Sequence, residues 1–186
     1  MYFIDPDQHV RFKGGMHLND KIRNLTENKL IIDFCDFVLS ASEAGSLPDF
    51  KNVNLMTVPD LVPNIYVIDF REGVEKGLLM KFSGTKIDKQ FGQNIQGKYL
   101  EDTYTGNDKR EILFDLYRKC FVEKNPVFAN RVVFYDEGKD NARYRLSTLL
   151  FIPCSPNGVD VNFGIGMVCY TNSESSFAPI YRVLDF

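Results

Sequence analysis

The C-terminal half of the sequence carries three strand-like runs, "PVFANRVVFYD", "ARYRLSTLLFIPC" and "VDVNFGIGMVCYT", separated only by "EGKDN" and "SPNG". Connections this short, rich in turn-forming residues, close antiparallel neighbours; a parallel crossover needs a dozen residues or more. Two further runs, "NIYVIDF" and "KGLLMKFSG", flank a turn at Gly73 and read as a second hairpin. Between the blocks lies "NDKREILFDLYRKCFVEKN", a helix with a capping box from Asp108 to Glu111 and with Leu113, Leu116, Tyr117 and Cys120 on one face. Upstream, "NLTENKLIIDFCDFVLSASEAG" reads as an amphipathic helix capped by Asn24 and Glu27 and stopped by Gly45. Residues 1–23 read as an arm or loose turn, and a connector punctuated by Pro48, Pro59 and Pro63 precedes the first strand. Strands in two blocks around helices give an α+β class, an antiparallel sheet with helices packed on a face.

A chain of 186 residues suits one domain with extra helices at its ends. Its 44% hydrophobic content supports a core, and 16 Phe and 9 Tyr without any Trp supply bulky rings to fill it or to line a cavity. A net charge of -3 argues against an electrostatic grip on nucleic acid or an anionic membrane. The most apolar window, Leu30 to Leu39, is too short to cross a bilayer, and Asp5 and Asp7 stand where a signal peptide is basic. A soluble, cytoplasmic protein is therefore expected. Cys35, Cys120, Cys154 and Cys169 are scattered without C-x-x-C spacing, so neither a zinc site nor a disulfide framework is indicated.

The glycines Gly84, Gly92 and Gly97 invite a phosphate-loop reading, but their spacing fits neither the Walker pattern nor the dinucleotide fingerprint. They punctuate instead: Gly84 ends a strand, Thr85 caps a short helix, Gly92 stops it in the left-handed region and Gly97 makes the next bend. "SGTK" matches S-x-x-K but lacks the companion motifs of that serine chemistry. The histidines, His9 and His17, both lie in the arm, so no proton relay is assembled and no enzyme is expected.

"LMKFSGTKIDKQFGQNIQGKYLED", then a helix, then "NPVF", then "RLSTLLFIPCSPNGVDVNFGIGMVCYT" resembles the single-domain bacterial branch of the PAS family. The likeness runs from about Leu47 to Thr171, through Phe91-Gly92, Gly97 before Tyr99-Leu100, Pro126 opening a strand, and a late "IPCSPNG" hairpin with Asn157 where Asp is usual. It implies a PAS-like domain over 47–172, after an arm and amphipathic helix (1–46) and before a tail (173–186). It also implies a five-stranded antiparallel sheet whose helices cover one face and enclose a small-molecule pocket. The flavin-binding light sensors of that family carry a reactive Cys in an Asn-Cys-Arg setting after the second strand, and haem-binding relatives offer a helical-side His. This sequence has neither, so haem and covalently bound flavin are disfavoured and the cofactor is unknown. No kinase, cyclase or DNA-binding segment follows Thr171, so output is expected through a homodimer or a separate signalling partner.

Strand alternation divides the side chains by face. Leu78, Met80 and Phe82, then Tyr144, Leu146, Thr148, Leu150 and Ile152, then Val161, Phe163, Ile165, Met167 and Cys169 are expected to face the helices. Within that set Tyr144 and Thr148 carry hydroxyls able to orient a ligand. The expected site for a small organic ligand is Met80, Phe82, Phe91, Leu116, Cys120, Tyr144, Leu146, Thr148, Phe163, Ile165 and Met167. A solid core built from the same residues is the competing reading, and it makes the domain a ligand-free interaction module. Gly164 and Gly166 bare the other face, where the helix from Asn24 to Ala44 is expected to pack, in cis or across a homodimer.

Overall fold

The computed structural model describes residues 17–42, 46–103, 110–135, 143–173 and 178–186. Two helices open it, α1 (Leu18–Leu25) and α2 (Lys29–Leu39), where one was expected. Asn24 lies inside α1. The cap of α2 is Asn28, whose Oδ1 accepts the N–H groups of Leu30 and Ile31 at 3.1 and 3.4 Å. Breaking the helix there aligns Ile31, Phe34, Cys35 and Val38 on one buried face of α2, while α1 buries Leu18 and Ile22 beside them. Arg23 bridges to Asp36 at 2.7 Å and ties the pair together. His17, expected in a loose arm, occupies the N-cap position of α1 without a side-chain capping bond. The expected stop at Gly45 and the cap at Asp108 lie outside the described residues.

The strands are β1 (Ile65–Asp69), β2 (Leu79–Ser83), β3 (Val127–Tyr135), β4 (Arg143–Cys154), β5 (Phe163–Ser173) and β6 (Ile180–Val183). They form one sheet in the order β2-β1-β5-β4-β3-β6, every pair antiparallel. The expected antiparallel pairing of the last three long strands holds, and the first hairpin joins them through β1 beside β5. The sixth strand lies where a tail was expected. Ile180–Val183 pairs with Val127–Asn130, and the Leu184 N–H donates to Pro126 O at 2.8 Å, which covers the outer edge of β3.

Between β2 and β3 come α3 (Thr85–Phe91), α4 (Leu100–Thr103) and α5 (Arg110–Glu123). Gly84, rather than Thr85, is the N-cap of α3, and only glycine fits: a Cβ there would lie 2.3 Å from Val62 O. Gly92 ends the helix with φ 67, as its spacing predicts. Helices α3 to α5 cover one face of the sheet and α1 and α2 the other, so both faces are buried. Among the described residues, no helix is long and apolar enough to cross a membrane.

Candidate functional site

The space between the sheet and α3–α5 is where a ligand was expected. The residues that meet there come from β1 and the position just after it, β4 and α5: Tyr66, Phe70, Phe151, Tyr117 and Phe121. Tyr66 and Phe151 stack at 5.6 Å with their planes 9° apart, and Tyr117 meets Phe151 edge-on at 4.8 Å. Phe70 closes the group, 6.1 Å from Phe151 and 5.2 Å from Phe121.

The glycines of β5 make room for these rings. Gly166 pairs with Tyr66 on one side and Phe151 on the other. A Cβ on Gly166 would lie 2.3 Å from the Tyr66 ring, and one on Gly164 would lie 2.0 Å from the Phe151 ring. The rings therefore lie flat on a strand stripped of side chains. The expectation that these glycines admit a helix to the opposite face is corrected: they face α3–α5 and receive aromatic rings.

One polar contact runs through the cluster. The Tyr66 and Tyr117 hydroxyls hydrogen-bond at 2.8 Å, fully buried. Burial first, and then the Tyr117 hydroxyl beside it, hold the Tyr66 phenol well above its ordinary range, so the ring stays neutral. Beside this pair remains a cavity of about 30 Å³, lined by Tyr66, Met80, Phe91, Tyr117, Arg131, Ser147 and Tyr170 among others. Such a space has room for only a few water molecules.

The expected ligand residues are divided between the two faces. Met80, Phe91, Leu116 and Cys120 lie on the α3–α5 side, and Met80 and Phe91 border the small cavity. Phe163, Ile165 and Met167 lie on the opposite side, against α1 and α2, and so does Phe82. Leu146 and Thr148 share the strand parity of Leu150, which packs on that side, and the Thr148 hydroxyl donates to Asn130 Oδ1 at 3.4 Å. Tyr144 holds a register position opposite Phe134 and Ser173, and its side chain lies outside the described part. The residues missed, Tyr66, Tyr117 and Phe151, had a signal in the glycine pair of β5, whose bare backbone needs large cross-strand neighbours.

Two physical causes explain the division. A sheet buried on both faces shows a clear alternation, but the alternation gives parity only and does not say which helices each stripe meets. In addition, the β1–β2 ladder shifts register between Val67 and Ile68, so Met80 pairs with Ile68 on one face while Phe82 pairs with Val67 on the other.

The thiols are chemically quiet. Burial pushes Cys35 and Cys154 up to about 12 and Cys169 up to about 11, and it holds Cys120 well above its ordinary value. No group of three or more His, Cys, Asp or Glu able to hold a metal ion occurs among the described residues.

No protein-family model matches the sequence, and no curated protein matches it. Solved structures do. The PAS domain of BvgS from Bordetella pertussis is 19% identical, over 64% of this chain and 87% of that one, with a TM-score of 0.46. The light-state dimer of the fungal blue-light photoreceptor Vivid is 15% identical, over 87% of this chain and 99% of that one, at 0.40. An RNA-binding light-oxygen-voltage receptor is 13% identical, over 69% and 37%, at 0.42. The solved structures this chain is similar to include PAS and light-receptor domains.

Proposed function

We propose that this chain is a PAS-type sensory or signalling module that works through protein contacts, its interior taken up by its own side chains. The observation that carries the reading is the packed group of Tyr66, Phe70, Tyr117 and Phe151, with about 30 Å³ left beside it. A site for a small organic molecule spans roughly 300–1,000 Å³. A porphyrin or flavin ring enters this interior only if Phe151 and Tyr66 leave it, so neither group fits the residues as they stand.

Protein contacts then carry the signal. The inner side of α1 and α2 is spent on their own sheet, so a homodimer or a separate signalling partner meets the outer side of that pair. Free, buried cysteines fit a reducing, cytoplasmic compartment. A second reading, a sensor for a small organic ligand, is favoured by the buried polar groups Arg131 and Ser147 at the edge of the cavity. It requires the Tyr66 and Phe151 rings to swing aside, with Met80 and Phe91 left to line the opened space.

Sedimentation velocity over a range of concentrations, paired with melting curves in the presence of flavin, haem and small aromatic compounds, tests the choice. Reversible self-association with no ligand-induced rise in melting temperature supports the interaction module. A strict monomer stabilised by one of those compounds overturns it.

A further inference from the structure

The chain as a whole is acidic, with net charge -3, yet a basic cleft lies among the described residues. The cleft lies where β5 outruns its neighbour: β1 begins opposite Met167, whereas β5 continues to Ser173. The first turn of α2 and the outer side of α3 stand along that stretch and enclose about 440 Å³. Lys86, Lys89 and Arg145 line it, and no Asp or Glu does.

Lys86 and Lys89 are three residues apart on α3 and so share a face. Neither ammonium group has an ion pair or hydrogen bond among the described residues. Arg145 is fixed at the wall: its guanidinium lies 5.7 Å over the Tyr170 ring and donates to Gln90 Oε1.

Asn64, only 4% exposed, also lines the cleft and adds a polar side chain to its wall. The N-terminus of α2, capped by Asn28, adds positive potential at the rim. Leu30 and Tyr170 supply an apolar wall.

We propose that this cleft binds a small organic anion. Lys86, Lys89 and the Asn64 amide hold its phosphate or carboxylate head, and an apolar or aromatic body lies against Leu30 and Tyr170. The volume falls within the roughly 300–1,000 Å³ of small-molecule sites. The proposal is independent of whether the interior is filled, because the two spaces are tested by different probes and different variants.

The test is calorimetric titration of the full chain with phenyl phosphate, benzoate and uncharged benzyl alcohol, in low and high salt. The variants are Lys86→Gln with Lys89→Gln, and Lys51→Gln as a remote charge control; all three lysines are exposed, and unchanged melting verifies the fold. Saturable, salt-sensitive binding of an anion is expected, weakened roughly tenfold or more by the double variant and unchanged by Lys51→Gln. Whichever anion binds more tightly identifies the head group. Absence of saturable binding by both anions, equal binding of benzyl alcohol, or wild-type affinity in the double variant overturns the proposal.

Discussion

Replacing Phe151 by Ala tests the packed interior where it is densest. The ring is fully buried and touches Tyr66, Tyr117 and Phe70 with centroids 4.8 to 6.1 Å away. Deleting a buried Phe side chain costs about 3–5 kcal/mol, the larger values where the surroundings cannot close the gap. Here they close poorly, because Gly164 beneath the ring has no side chain to offer and Tyr66 is tethered to Tyr117. A loss of about 4 kcal/mol is expected, which for a chain of this length lowers the melting temperature by about 8–16 °C. The vacated space is walled mainly by the Tyr66, Phe70 and Tyr117 rings, so benzene is expected to restore part of the stability by mass action while leaving the wild type unchanged. Urea unfolding followed by circular dichroism measures the loss, and melting curves with and without benzene measure the rescue. A loss below about 1 kcal/mol, or equal stabilisation of the wild type by benzene, refutes the reasoning, because a ring that truly fills the interior cannot be removed so cheaply.

Further predictions follow from neighbouring contacts. Tyr117→Phe strands the buried Tyr66 hydroxyl and is expected to cost about 1–3 kcal/mol, whereas the double change Tyr66→Phe with Tyr117→Phe costs less than the sum of the single changes; urea midpoints in a double-mutant cycle decide it. Gly166→Ala forces the Tyr66 ring off the sheet and is expected to cost about 1–3 kcal/mol. Gly84→Ala meets the Val62 and Pro63 carbonyls at 2.3 and 2.5 Å, backbone atoms that cannot swing away, so it destabilises more than Gly166→Ala in the same unfolding assay. At Asp69, burial pushes the carboxyl upward, but the Arg71 side-chain bonds at 2.6–3.1 Å, with its backbone N–H and charge, outweigh burial and hold it below the usual 3.8. Its contribution to stability is therefore present above pH 3.8 and lost as pH falls through the depressed value, and Asp69→Asn is expected to lower stability at neutral pH and flatten that acid limb in pH-dependent unfolding.

Much of the architecture is legible in the sequence because short turns leave a chain little freedom. "SPNG" dictates that β4 and β5 are antiparallel neighbours, and Gly92 stops α3 for the reason its position suggests. The orientation of the sheet was not legible. Ile165 and Met167 are as apolar as any pocket lining, and only coordinates reveal that α2, not α5, lies over them. Phe82 was lost to a single register shift, which strand propensity does not encode. The four residues Ile180–Val183 are half-buried and short, and they become a strand only because β3 offers them an edge. At the N-terminus Asn24 was expected to cap one helix, but the helix breaks after Leu25 and Asn28 caps α2, which buries Ile31 and Phe34.

Native mass spectrometry of the freshly purified chain is the most direct measure of whether the interior is closed by its own rings. The account predicts subunit masses of 21.4 kDa or simple multiples, with nothing apolar retained. A stoichiometric flavin, haem or other hydrophobic molecule carried through purification, and lost when Phe151 or Tyr66 is enlarged to Trp, would contradict it.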